Sequence, residues 1–137
     1  MRKDTGGFTL IEFVIIVVIL GIVAAIAIPN YISIAEEARE AACRDGLGSM
    51  RTAIALWYAD RTARGELPGY PPLDSLSEIG VILKDPVPVN PYKLEGTGMI
   101  VAGDVKGGLM PGDGDWVYNE STGQIWPNSD EVGENFW

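Results

Sequence analysis

The feature that most constrains this chain is an uninterrupted apolar run near its N-terminus. From Phe13 to Ile28 every residue is Phe, Val, Ile, Leu, Ala or Gly, and Glu12 carries the single charge of residues 8–35. A helix of residues 8–35 would be about 42 Å long, which exceeds the ~30 Å hydrocarbon core of a bilayer. Because backbone groups in lipid must be satisfied within the segment, residues 8–35 predict a membrane-spanning helix.

Charges that flank the run predict its orientation. Two basic residues precede the run and the next basic residue is Arg39, so the positive-inside rule places the N-terminus in the cytoplasm. A cleaved secretory signal is the alternative, because Ala25-Ile26-Ala27 has the small-x-small form of a cleavage site. Glu12 inside the apolar stretch and helical spacing that continues past Ala27 argue against cleavage there.

Residues 36–64 continue the helical pattern as an amphipathic segment. Apolar residues recur at i, i+3, i+7 and i+10, and such a stripe is typical of core positions: Leu47, Met50, Ile54 and Trp57. The lone Cys43 is predicted to be buried or half-buried. Pro29 lies inside the pattern and is expected to kink or loosen the helix near Ala25.

From residue 65 onward the composition changes to a Pro- and Gly-rich head, residues 65–137. The pattern predicts a short helix and three strands, which are Leu73–Ile79, Met99–Ala102, Trp116–Tyr118 and Gln124–Trp126. The loop Asn119–Gly123 is predicted to join the last two strands as a hairpin. Trp116 and Trp126 are expected in the core, while Trp137 is expected to dock on the head or on a neighbouring chain.

Composition excludes several classes of function. The chain has no His, so sites that need a His ligand, a His base or a Ser-His pair are excluded. One Cys cannot form an intramolecular disulfide. A net charge of −9 argues against nucleic acid as a partner. This acidic excess lies in the head, which has 12 Asp or Glu and three Lys.

The acidic head offers one candidate metal site and no catalytic constellation. Asp113 and Asp115 flank a glycine, and together with Asp104 they present carboxylates of the kind that calcium prefers. A solvated acidic turn is the alternative interpretation. Nothing in the sequence places two carboxylates in a cleft for acid–base chemistry, and the Gly-rich stretches lack the following Lys-Ser/Thr of a phosphate-binding loop.

The N-terminal residues resemble a known processing site. Gly6-Gly7-Phe8-Thr9-Leu10-Ile11-Glu12 is similar to the prepilin peptidase site of type IV pilins and type II secretion pseudopilins. The resemblance implies that residues 1–7 are a leader, that cleavage follows Gly7, and that Phe8 becomes N-methylated. It also implies assembly roles for Phe8, Glu12 and Pro29.

The remainder of the chain resembles that family more loosely. Asp85-Pro86 and Asn90-Pro91-Tyr92 resemble the segment after the helix in major pseudopilins, some of which bind calcium in the head. The resemblance implies a pilin-like α+β fold, in which the second half of a long N-terminal helix packs on a small antiparallel sheet. Two departures are the missing C-terminal disulfide of many pilins and the stretch Val87-Pro88-Val89.

The resemblance implies a structural role rather than an enzyme. It implies a homo-oligomeric filament, pilus or pseudopilus, with a prepilin peptidase, an inner-membrane platform and an assembly ATPase as partners. The subunit would span the inner membrane once, with its head in the periplasm or outside, before entering the filament. Two other classes stay open: a secreted binding domain with a cleaved signal, and a single-pass membrane-anchored domain.

Physical chemistry gives Glu12 a reason to act in assembly. An ionised carboxylate in hydrocarbon is unfavourable unless it is paired, and cleavage would create a cationic amine on Phe8. Pairing Glu12 with the Phe8 amine of a neighbouring subunit would relieve that penalty and fix the axial register. The alternative is that Glu12 extends to the nearby cytoplasmic surface, where charges are less unfavourable.

Overall fold

A computed structural model describes residues 7–137, so residues 1–6 of the predicted leader lie outside the described residues. Two helices, three strands and a final 3₁₀ turn follow one another in chain order: α1 Leu10–Ala63, α2 Leu73–Ser77, β1 Ile100–Ala102, β2 Trp116–Asn119, β3 Gln124–Pro127 and the turn Glu134–Phe136. The chain divides into two compact units, one ending at Ala38 and the other spanning Arg39–Trp137.

The unit that ends at Ala38 carries the apolar part of α1. All its large apolar side chains are exposed. The first of them, Phe8, is 68% exposed and the last, Ile34, is 63% exposed. The most apolar window of 18 residues in α1 has a mean hydropathy of 3.1 with none of it buried. The helix is therefore long and apolar enough to cross a membrane. It runs through Pro29 without interruption, although Pro29 has no N–H to donate to the Ala25 carbonyl.

The unit Arg39–Trp137 has a continuous hydrophobic core. The predicted stripe is buried at Leu47, Met50 and Ile54, which pack with side chains of the sheet. Trp57, the last residue of the predicted stripe, is only half-buried and does not belong to that core. The predicted burial of Cys43 is confirmed, with no exposed surface. Leu47, Met50 and Ile54 share one face of α1, and the sheet packs on that face. The amphipathic pattern therefore predicted the buried face of the helix correctly.

The sheet has the order β1–β2–β3, and its central strand is buried on both faces. Trp116 and Tyr118 belong to the core that contains the α1 stripe, whereas Val117 lies opposite Trp126 in the register. The segment between β1 and β2 covers this second face, since a Cβ on Gly103 would come within 2.3 Å of Val117. The same segment accepts the Trp126 indole N–H at Gly108 O, 3.0 Å away.

The α+β prediction is confirmed, but the sheet is mixed rather than wholly antiparallel. β2 and β3 form the predicted antiparallel hairpin, whereas β1 pairs parallel to β2, with Ile100 opposite Trp116. A parallel pair needs a crossover of about a dozen residues, and residues 103–115 supply it.

Trp137 docks on the head of its own chain. Arg51 donates hydrogen bonds to the main-chain oxygens of Ile125, at 3.1 Å, and of Trp137. The guanidinium carbon of Arg44 lies 3.9 Å from the centroid of the Trp137 ring, and Tyr92 meets that ring edge-on. A cation over an indole face is attracted by its quadrupole. The final residues therefore close over the helix and sheet within this unit.

Burial lowers the reactivity of Cys43. It raises the pKa of the Cys43 thiol from 9.0 to about 11; the Glu134 carboxylate adds to this shift and Arg44 opposes it. The thiolate is the reactive form, and two pKa units correspond to about 100-fold less thiolate. At pH 8 we expect iodoacetamide to label native Cys43 at least about 100-fold more slowly than the chain unfolded in guanidinium chloride.

The same shift predicts a loss of stability in alkali. The pKa of Cys43 is higher in the folded chain than in the unfolded chain. The contribution of Cys43 to the free energy of unfolding is therefore complete below about pH 9 and is lost as the pH rises through about 11. Cys43→Ala serves as the control, because it abolishes labelling and removes this part of the alkaline destabilisation. Labelling of the native chain at the unfolded rate would contradict the buried position.

Candidate functional site

The predicted cleavage junction is accessible and lies outside regular structure. Gly7 and Phe8 are exposed and precede the start of α1 at Leu10. Among residues 9–137, no heavy atom comes within 4 Å of the position that a Cβ on Gly7 would take. A protease binds backbone directly, and glycine permits a close approach. The geometry thus leaves the Gly7–Phe8 peptide bond open to a peptidase.

Glu12 and Thr9 together cap the N-terminus of α1. The Glu12 Oε2 atom accepts hydrogen bonds from Thr9 N at 2.8 Å and Thr9 Oγ1 at 2.6 Å. In return Thr9 Oγ1 accepts the Glu12 N–H at 3.3 Å, and Thr9 O accepts from Phe13 N. This reciprocal arrangement is a capping box, with Thr9 at the N-cap and Glu12 at the third helical position.

The capping box gives the Glu12 carboxylate hydrogen-bond partners before any assembly takes place. The carboxylate is already hydrogen-bonded within a single chain, and its negative charge lies at the positive end of the helix dipole. Sequence reasoning treated Glu12 as unpaired until assembly and overlooked Thr9. The signal was present, since Thr9-Leu10-Ile11-Glu12 matches the Ser/Thr-x-x-Glu pattern that marks a helix start.

The predicted calcium ligands are not brought together. Asp115 lies immediately before β2, whereas the main chain of Asp104 accepts a hydrogen bond from Asn119 at the far end of that strand. The four residues of β2 span about 13 Å, so Asp115 and Asp104 lie near opposite ends of that strand. Asp113 is exposed. Within residues 7–137 no group of three or more Cys, Asp or Glu side chains is placed to hold a metal ion.

Asp115 instead organises the loops at one end of the sheet. It has no exposed surface, and its carboxylate accepts three main-chain N–H groups: Asn90 at 3.0 Å, Thr97 at 3.2 Å and Gly98 at 2.8 Å. A buried carboxylate is tolerated only where such donors compensate it. The carboxylate thus joins the start of β2 to the segment that precedes β1.

Asn90 is the second residue of this buried network. Its Nδ2 donates to Asp115 O at 3.2 Å and Ser129 Oγ at 2.8 Å, while its Oδ1 accepts from Tyr92 N at 3.0 Å. Asn90 has no exposed surface. Sequence reasoning noted the Asn-Pro-Tyr motif but did not connect it with Asp115, because nothing local in the sequence indicates that pairing.

Glu134 is also fully buried. Burial opposes its ionisation, but hydrogen bonds from Ser129 and from main-chain N–H groups outweigh burial and leave the pKa of Glu134 below its usual value. The N–H groups of Glu131 and Val132 lie 3.1 and 2.8 Å from its carboxylate oxygens. This carboxylate therefore serves to fold the last turn of the chain.

Comparison with known proteins supports the N-terminal part of this description. The family model for the prokaryotic N-terminal methylation motif matches residues 2–28. That range contains the Gly7–Phe8 junction, the Thr9–Glu12 capping box and the apolar run up to Ile28.

Several curated proteins are similar to this chain. The type IV major fimbrial protein FimA of Dichelobacter nodosus is 45% identical over 66 residues, which are 48% of this chain and 42% of that protein. The type II secretion system core protein G of Pseudomonas aeruginosa is 34% identical over 62 residues, 45% of this chain and 44% of that protein. The type IV major pilin protein PilA of Myxococcus xanthus is 40% identical over 55 residues, 40% of this chain and 25% of that protein.

The chain spans less than half the length of these relatives. No solved structure matches it. The motif and the relatives nevertheless relate this chain to the type IV pilins and type II secretion pseudopilins, which confirms the resemblance seen in the sequence.

Proposed function

We propose that this chain is a structural subunit of a type IV pilus or type II secretion pseudopilus. It assembles through its N-terminal helix after cleavage at Gly7 and N-methylation of Phe8. The observation that carries the proposal is the methylation motif over residues 2–28, whose apolar run has all its large side chains exposed. An enzymatic role has no comparable support, since the similar proteins are named as pilins, fimbrial proteins and a secretion core protein.

The exposed apolar helix has two successive roles in this proposal. It first spans the inner membrane, with the head in the periplasm or outside. It then leaves the lipid and packs against copies of itself, where van der Waals contact replaces contact with acyl chains. Within the part of the chain that the structure describes, no atom outside the adjacent turns of α1 comes within 4 Å of a Cβ position on Gly21, so a second helix can approach closely at that point. Pro29 belongs to the same packing segment.

The capping box is compatible with a charge pair between subunits. Both hydrogen bonds from Thr9 end on Oε2 of Glu12, and a carboxylate can accept at both of its oxygens. The Phe8 amine of a neighbouring subunit could therefore approach Oε1 without breaking the cap. In this arrangement Glu12 starts its own helix and sets the axial position of the next subunit.

The partners follow from this assembly route. A prepilin peptidase removes residues 1–7, and an inner-membrane platform with an assembly ATPase moves the processed subunit from membrane to filament. Other copies of the chain form the filament itself. Both filament types remain in the proposal, because the similar proteins include type IV pilins and a type II secretion core protein.

The experiment that tests this proposal is an intact-mass measurement with sequencing of the N-terminal peptide. The full chain is extracted from membranes of cells that contain an active prepilin peptidase and of matched cells that lack it. We expect the chain from the first cells to begin at Phe8 and to carry one added methyl group. In the matched cells we expect it to begin at Met1.

Two outcomes would contradict the proposal. A chain that begins at Ile28 would indicate a conventional signal peptide and a secreted domain, because the packing helix would be lost. A chain that still begins at Met1 in the presence of the peptidase would indicate a single-pass membrane anchor.

A further inference from the structure

The acidic turn before β2 lies against the side chain of Lys93. The Lys93 Nζ atom is 2.6 Å from Gly114 O and 3.2 Å from Gly112 O. Main-chain carbonyls on an acidic, glycine-rich turn are the kind of ligand that calcium takes in proteins. Here an ammonium group with three donors already binds two of them.

Further donors bind the Asp113 carbonyl and share the Gly114 carbonyl with Lys93. Thr97 Oγ1 donates to Asp113 O at 3.1 Å, and Asn128 Nδ2 donates to Gly114 O at 2.8 Å. The Asp115 carboxylate accepts the three main-chain N–H groups described above. Calcium requires six to eight oxygen ligands at about 2.3–2.6 Å, but the main-chain oxygens of residues 112–115 and the Asp115 carboxylate already accept hydrogen bonds. The residues present do not fit a calcium ion.

The charge around Lys93 favours a cation at this place. Lys93 lines a cavity together with Glu95, Asp113 and Glu131, and the head as a whole has 12 acidic residues against three lysines. The lysine therefore supplies a positive charge where the loop is most acidic.

We propose that the Lys93 ammonium is the resident cation of the turn formed by residues 112–115, so that the head folds and remains stable without calcium. The ammonium is covalently attached to the segment before β1. Its two hydrogen bonds hold the turn to that segment just as a shared metal ion would, but no ion has to be bound. This inference concerns the folding of the head and does not depend on filament assembly.

The test measures thermal unfolding of the full chain in detergent by tryptophan fluorescence. For the wild-type chain, we expect calcium chloride or EDTA to shift the melting temperature by less than about 1 °C. Lys93→Met keeps the length of the side chain and removes its charge, and we expect it to lower the melting temperature by about 5–10 °C. The matched control is Lys84→Met at an exposed lysine, which we expect to change it by less than about 2 °C.

Lys93→Arg retains a cationic side chain and provides a second test if Lys93→Met does not fold. The proposal is supported if the Lys93→Arg variant retains most of the wild-type melting temperature. The proposal is overturned if calcium stabilises the wild-type chain by several degrees, if Lys93→Met melts like Lys84→Met, or if Lys93→Arg melts no higher than Lys93→Met.

Discussion

Replacing Glu12 by glutamine is expected to reduce the assembled fraction of this chain at least about tenfold, with leader cleavage unaffected. Glutamine at the third helical position still completes a capping box with Thr9, so the start of α1 is preserved. What the substitution removes is the negative charge proposed to pair with the Phe8 amine of a neighbouring subunit. Removing one partner of an ion pair held away from water is strongly unfavourable, and assembly is the step at which that pair forms.

Assembly can be measured by immunoblotting sheared filaments and membranes from cells that carry the assembly machinery. Thr9→Val is the matched control, since it removes the hydroxyl that bonds Glu12 but leaves the charge. We expect Thr9→Val to assemble within about threefold of the wild-type chain. If Glu12→Gln assembles normally while Thr9→Val does not, the essential role of Glu12 is the helix cap and the proposed pairing between subunits is wrong.

Replacing Asp115 by alanine is expected to destabilise the head by about 3–5 kcal/mol. The substitution leaves the N–H groups of Asn90, Thr97 and Gly98 without the carboxylate that they now share. Each hydrogen bond to a charged acceptor contributes about 1.5–3 kcal/mol, and these bonds are not independent. For a unit of this size the loss corresponds to a melting temperature lower by at least about 12 °C.

The measurement is the same thermal unfolding of the full chain in detergent. Asp113→Ala is the matched control, because Asp113 is an exposed carboxylate two residues away in the same turn. We expect it to melt within about 2 °C of the wild-type chain. Equal melting temperatures for the two variants would show that the Asp115 carboxylate does not hold the loops together.

Much of the fold follows from local patterns that the sequence displays directly. The stripe Leu47, Met50 and Ile54 is buried as its spacing predicts. The β2–β3 hairpin also lies where the alternating and turn residues predict it. The capping box of Thr9 and Glu12 could also have been predicted from the sequence, because its pattern spans only four residues.

The parallel pairing of β1 with β2 was not predictable in the same way. A short apolar strand such as Ile100–Ala102 carries no mark of its direction relative to a partner. Its direction depends on the course of residues 103–115, whose many glycines permit several paths. Packing decided the path, since this crossover covers the second face of β2 and receives the Trp126 N–H.

The sequence by itself determined two features: a motif that predicts a processing junction at Gly7–Phe8, and an apolar helix that no compact head of this size could bury. Both depend on residues that are neighbours in the chain. Only the tertiary structure decided what the acidic residues of the head do. Asp115 contacts Asn90 across 25 residues of chain, and Lys93 contacts Gly114 across 21. Such pairings arise from the packing of loops around a sheet, and composition or spacing carries no record of them.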